Sequence, residues 1–313
     1  MFYYIIRRIL TVVPVMFTVA LIVFSLLYLT PGDPAVMIAG DQASPEDIER
    51  VRAALGLDKP FFIRFATWAG QLLSGDLGTS IFANQPVTQM IGQRVGPTFS
   101  LLILSLILSV CFAVPLGVLA ARKRGKNADH FFMIVTVLAL SLPVFVVGYV
   151  LAFTFSTTLK WLPVQGYTPP SEGLIPFLEH LALPAATLGL SYGGILARTT
   201  RTSMLDVLSQ DYIRTAVAKG APSRVILFRH ALRNASIPII TVIGLALTSL
   251  IAGSVITESV FSIPGIGRLT LDAILHRDYP VIQGVVLLFS ASYVVVNLLI
   301  DLTYAFLDPR IQY

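Results

Sequence analysis

The chain has 313 residues, 55% of them hydrophobic and 12% charged, with a mean hydropathy of +0.80 and a formal charge of +5. Soluble domains carry about a quarter charged residues, so these values exclude an ordinary soluble fold and, with the long apolar runs, point to a polytopic membrane protein, expected to be all-α. The single cysteine, Cys111, excludes an intrachain disulfide framework and reads as a small buried hydrophobe.

Arg7 and Arg8 precede a first apolar segment near 9–29. It is longer than the apolar region of a signal peptide, and no small-x-small cleavage pattern follows, so it is expected to stay as a signal-anchor helix. Residues 30–97 then form an extracytoplasmic insertion. The insertion has turn chemistry at Pro31-Gly-Asp-Pro34, a helix start at Ser44-Pro45-Glu46 with Pro in the first turn, and another turn at Gly75-Asp-Leu-Gly78.

A five-helix core follows over 98–313, with spans expected near 98–121, 131–155, 181–198, 236–257 and 281–304. Crossing a hydrocarbon core of about 30 Å at about 1.5 Å per residue takes about 20 residues. The 181–198 segment is the short one, and Pro184, Gly189, Gly193 and Gly194 interrupt it. Pro115, Pro143, Pro184 and Pro238 are sites where spans can kink. The Gly189/Gly193 spacing permits close helix packing, either inside the bundle or between subunits.

Six spans put both termini on one side. If that side is the inside, 14 of the 22 Lys and Arg fall in the inner segments: Arg7 and Arg8, 122–130, 198–235 and Arg310. The much longer outer segments hold the other 8. The positive-inside rule therefore places both termini in the cytoplasm. The net charge follows this topology and calls for no nucleic acid.

Several chemistries lack their motifs. His130, His180, His230 and His276 form no HxxxH or HExxH pair, so no metal site is expected. There is no P-loop and no GxSxG elbow, so the chain has no nucleotide-hydrolysing motif or catalytic triad of its own.

The polar, basic stretch at about 199–235 carries the strongest local pattern. Asp211-Tyr-Ile-Arg-Thr-Ala-Val-Ala-Lys-Gly220 continues to His230-Ala-Leu-Arg-Asn234 and reads as helix, glycine break, helix. Gly220 can take a positive φ. Ala216 allows close approach, and Arg214, Lys219, Arg224, Arg229 and Arg233 can meet acidic protein groups or lipid phosphates. Glu258 follows the fifth span and is either a group at the outer mouth or a solvated loop carboxylate. Asn297 and Asp301 share one face of the sixth span. A charge there is costly, which leaves Asp301 a structural or interfacial role or a part in a pathway.

The ordered set of stretches resembles the permease subunits of binding-protein-dependent ABC importers of the dipeptide/oligopeptide/nickel branch. The stretches are Arg7-Arg8, Pro31–Pro34, Leu55–Pro60, Gly75–Gly78, Ser203–Val207, Asp211–Arg214, Ala218–Gly220, His230–Ala235, Thr257-Glu258, Phe261, Pro264–Gly267, Arg277–Ile282 and Asp308–Arg310. Permeases of this class carry a loop of pattern Glu-Ala-Ala, three residues, Gly, then a distal Leu-Pro. Here Ala216 and Gly220 are in place. Arg214 stands for Glu, Thr215 for the first Ala, and Leu232-Arg233 for Leu-Pro, a departure similar to the peptide/nickel branch.

The resemblance implies an inner-membrane multi-pass subunit of a bacterium or archaeon. It implies a homologous second permease, two ATPase subunits that bind ATP and Mg, and an extracytoplasmic substrate-binding protein. This chain would bind no cofactor itself. The loop residues Asp211, Tyr212, Arg214, Thr215, Ala216, Lys219, Gly220, Arg224, His230 and Arg233 would form the ATPase-coupling surface. Glu258, Asn297 and Asp301 would serve the pathway or its gate. Peptides are the default cargo, with nickel, glutathione or another small solute as alternatives. An ATPase-independent secondary transporter and a non-transporting scaffold are the readings outside this class.

Overall fold

The computed structural model describes residues 2–29, 35–36, 43–54 and 57–307. The Pro31–Pro34 turn, Leu55-Gly56 and Asp308–Arg310 lie outside the described residues, as do the side chains of Arg7 and Arg8. The described chain is helical throughout, apart from loops and an isolated antiparallel bridge between Thr79 and Pro86. Two compact units are present: residues 1–94 with 269–295, and residues 95–268 with 296–312.

In the first unit, α1 (Phe2–Leu29) is a 28-residue helix. α2 (Pro45–Ala54) starts at the expected proline and is polar. α3 (Phe61–Leu73) is apolar. Gly75 (φ +85) and Gly78 (φ +83) make the expected turn, and the Gly78 N–H donates to Asp76 Oδ1 at 2.8 Å. Asp278 is buried and pins the following loop. It accepts the Ser80 hydroxyl, the Ile81 N–H at 3.1 Å and the Phe82 N–H at 3.4 Å.

Among the described residues four helices are long and apolar enough to cross a membrane: α4 (Val87–Arg122), α7 (Leu174–Leu208), α9 (Ser223–Val260) and α11 (Tyr279–Leu307). The span expected at 131–155 is not one straight helix. It is α5 (Asn127–Ser141) and α6 (Val144–Leu151, extended by a π-helical turn Ala152–Thr158), bent by 106°. Pro143 has no N–H to donate, and it forces Leu142 into an extended conformation at ψ 130. Counted as one span, this pair brings the total to five. Pro115, Pro184 and Pro238 lie inside continuous helices, as membrane helices tolerate. Two further short helices are α8 (Asp211–Ala218) and α10 (Ile266–Leu275).

The 181–198 segment is part of a 35-residue helix, and its glycines explain why it need not stop there. A Cβ on Gly189 would lie 3.1 Å from the Ser105 carbonyl, and one on Gly194 3.2 Å from that of Thr136. The Gly189/Gly193 face therefore packs α7 against α4, inside the bundle. Gly117 of α4 completes this contact, since its Cβ would sit 2.6 Å from the Ala197 carbonyl. Two cores result in the second unit. One gathers Val118, Phe132, Leu196, Met204, Leu227 and Ile239, and the other Leu101, Leu181, Leu188, Leu250, Phe261 and Ile263. Cys111 is exposed on α4, contrary to the buried position expected of it.

Candidate functional site

The stretch at 199–235, which reads as helix, glycine break, helix, is mostly helical. α7 runs on to Leu208 and α9 begins at Ser223, so the connection is 209–222 with α8 inside it. α8 ends in a glycine-terminated turn. The Ala221 N–H donates to the Ala216 carbonyl at 3.1 Å and the Gly220 N–H to that of Val217 at 2.9 Å, with Gly220 at φ +80. An added Cβ there would meet nothing within 4 Å. The position thus demands a conformation, not space.

One side of this turn is anchored and the other is open. Ile213, Ile226, Leu227 and Ala231 are buried, the last three on the first turns of α9, which are π-helical over Ile226–Leu232. Asn234 Nδ2 donates to the Tyr212 hydroxyl at 2.9 Å and to the His230 carbonyl at 2.7 Å, fixing α8 on α9. Ala216 and His230 are half-buried. Asp211, Tyr212, Arg214, Thr215, Lys219, Gly220, Arg224 and Arg233 are exposed, together with Arg229, Val217 and Phe228. Asp211 and Arg214 approach to 3.4 Å in water, a pair worth little to stability. The result is an anchored turn that presents cations and large apolar side chains outward.

Glu258 is not solvated: it is 0% exposed. Its Oε1 accepts the Thr98 hydroxyl at 2.6 Å and its Oε2 the Arg268 N–H at 2.9 Å, and Thr98 Oγ1 in turn accepts the Ile266 N–H at 2.8 Å. The carboxylate thus caps the first turn of α10, where free N–H groups and the helix dipole favour an anion. Gly265 and Gly267 make room for it, because a Cβ on either would fall within 3.0 Å of a carboxylate oxygen.

Asn297 and Asp301 are half-buried on α11, one turn apart. Between them Ile300 fills the space over Gly244 of α9. Gly244 lies about 21 Å along α9 from Glu258, so the three residues do not form one constellation. Sequence reasoning missed an internal ion pair. Arg201 of α7 grips Asp129 of α5 bidentately, Nε to Oδ1 at 2.6 Å and Nη2 to Oδ2 at 2.7 Å, and Asp129 also accepts the Gly125 N–H at 3.0 Å. The signal was present, since Asp129 is the one acid in the basic run 122–130. Among the described residues no cluster suited to a metal ion occurs.

The long apolar helices define an integral membrane protein, and comparison with known proteins identifies its family. Residues 113–313 match the binding-protein-dependent transport system inner membrane component family, and residues 1–102 match its N-terminal region. The chain belongs to this family of ABC importer permeases, which are transport subunits that leave ATP hydrolysis to separate subunits. It is 49% identical over 99% of both chains to a protein of Sinorhizobium fredii named as a peptide ABC transporter permease. It is 43% identical to a peptide transport system permease protein of Brucella abortus, over 99% of this chain and 98% of that one. It is 42% identical over 99% of both chains to the glutathione transport system permease protein of Salmonella typhimurium. A solved structure of the MetNI methionine ABC transporter shares the fold at a TM-score of 0.59 and 15% identity, over 70% of this chain and 97% of that one.

Proposed function

We propose that this chain is one of two permeases in a bacterial or archaeal importer of di- and oligopeptides, and that residues 209–235 couple it to the ATPases. The observation that carries this reading is the anchored turn around Gly220. Its inner face is locked by Ile213 and the Tyr212–Asn234 bond, while Arg214, Val217, Lys219, Arg224 and Phe228 point into solvent. A turn rigidly continuous with two long helices can carry motion into them, which a solvated floppy loop cannot. The peptide assignment rests on the peptide and glutathione permeases that share the whole length.

In the proposed topology α1 is the first span, the bent α5–α6 pair is the third, and both termini are cytoplasmic. The 209–222 turn then lies on the ATPase side, and α2, α3 and α10 on the side of the binding protein. ATP binding would draw the ATPases together, α8 would transmit the movement, and the cavity between the permeases would change the side to which it opens. Nickel or another small solute as cargo is the reading set aside, because the relatives named above are peptide and glutathione permeases.

The test is co-purification with the second permease and the ATPases, followed by ATPase assays on wild type and Gly220→Pro. Proline fixes φ near about −65° and cannot adopt the φ of Gly220. Loss of ATPase binding or of stimulated hydrolysis in a folded variant supports coupling. Absence of any associated ATPase with folded wild type removes it.

A further inference from the structure

We infer that α3 does not stand in the extracytoplasmic solvent but lies in the outer half of the bilayer against α1, with lipid acyl chains as its partner. The inference rests on α1 being the first span. α2 and α3 both belong to the insertion after α1, yet they are opposite in kind. α2 carries Glu46, Glu49, Arg50 and Arg52 in ten residues, all of a polar helix. α3, FFIRFATWAGQLL, has one charge in thirteen residues and buries none of them. Phe62 is 80% exposed and Leu73 89%, and Ile63 is open as well. In water such a face is a liability.

The position of α3 on α1 says what covers it. Phe65 stacks edge-on against both Phe17 and Phe24, at 5.7 and 5.5 Å between ring centroids. Phe61 and Trp68 also meet Phe24, at 5.5 and 5.2 Å. Along α1, Phe24 lies about 8 Å and Phe17 about 18 Å from Leu29, the outer end of that helix. α3 is therefore held at a depth that runs from the interface toward the middle of a core of about 30 Å. At about 20 Å long it is too short to cross.

α1 itself leaves Leu10, Val13, Phe17 and Ile22 exposed, so α3 lies beside a helix with an open apolar surface of its own. A surface at that depth, beside a spanning helix, meets hydrocarbon. The one charge fits the same setting. Arg64 lies with its guanidinium carbon 5.7 Å from the centre of the Phe24 ring, so the cation rests on an aromatic face, and an arginine stem is of a kind that lets such a charge sit at an apolar boundary. Trp68 suits an interfacial level.

The chain has two tryptophans, Trp68 and Trp161, so the full-length Trp161→Phe protein in phosphatidylcholine vesicles reports on α3 alone. Nitroxide groups carried on the lipid chains should quench Trp68 strongly, and the shallow label more than the deep one. In a Cys111→Ser background, Phe62→Cys and Leu73→Cys should react with a membrane-impermeant maleimide about tenfold more slowly than Glu49→Cys on α2, as expected for a face sunk into the acyl boundary. Fast labelling with unquenched Trp68 overturns the inference, as does slow labelling without quenching, which would mean protein covers the face. Val13→Cys separates the two readings. If Val13→Cys is protected while Phe62→Cys labels fast, only the placement of α3 fails. If Val13→Cys also labels fast, the spanning role of α1 fails with it.

Discussion

The two ends of α9 treat polar groups in opposite ways. At the Val260 end a carboxylate is withdrawn from solvent and its oxygens are met by Thr98 and the α10 backbone. At the Ser223 end cations and aromatic rings are left outside on a turn whose backbone is fully determined. One end is complete within the chain, whereas the other is built as carefully and left uncovered. Charge alone does not distinguish an enclosed polar site from an exposed one here. What distinguishes them is whether the surrounding chain supplies the partners.

The largest test of this contrast lies at Asp129, the internal charge that holds the helix leading into the open end. Asp129→Ala leaves the part-buried Arg201 without its bidentate partner and should cost about 3 kcal/mol, read as a marked drop in the thermal unfolding midpoint in detergent. Glu258→Leu comes next. It orphans buried donors on Thr98 and α10, for an expected loss of about 3 kcal/mol, with retained ATPase binding in the fraction that folds. Gly220→Ala must hold a side-chain-bearing residue at positive φ, costing about 1–2 kcal/mol. Since its Cβ meets nothing, the effect should appear in coupled ATPase activity more than in yield. Arg214→Ala should change stability by less than about 0.5 kcal/mol yet weaken ATPase association, measured by co-purification across a salt series. If Glu258→Leu proves harmless to folding while Arg214→Ala unfolds the protein, the contrast between the two ends is wrong.

The open end was the more legible in sequence. The glycine stop, the helix before it and the exposed cations all follow from local pattern, because capping and turn chemistry act over a few residues. The pattern of helix, glycine break, helix is present in the structure, but polarity hid how far α7 and α9 extend into the stretch. The ends of α7 and α9 that flank the 209–222 turn are polar yet still helical, and hydropathy reports the bilayer rather than the helix. The closed end was hidden for a different reason. Thr98 and Glu258 are 160 positions apart, and no local rule brings them together. In retrospect Gly265 and Gly267 were the trace of it, since two glycines flanking the start of a helix make room for something. The bend at Pro143 was marked as a possible kink, but its size is set by the helices it separates.

The π-helical turn at Ile226–Leu232 has a consequence for register. Such a turn holds one residue more than the α-helix it interrupts, and one residue in an α-helix corresponds to a rotation of about 100°. Deleting a single residue within 226–232 would let α9 run as plain α-helix with its apolar content almost intact. It would also swing everything before the turn by about that angle relative to Asn234, separating Asn234 from Tyr212 and aiming α8 in another direction. The extra residue thus acts as a fixed angular offset that sets where the turn points.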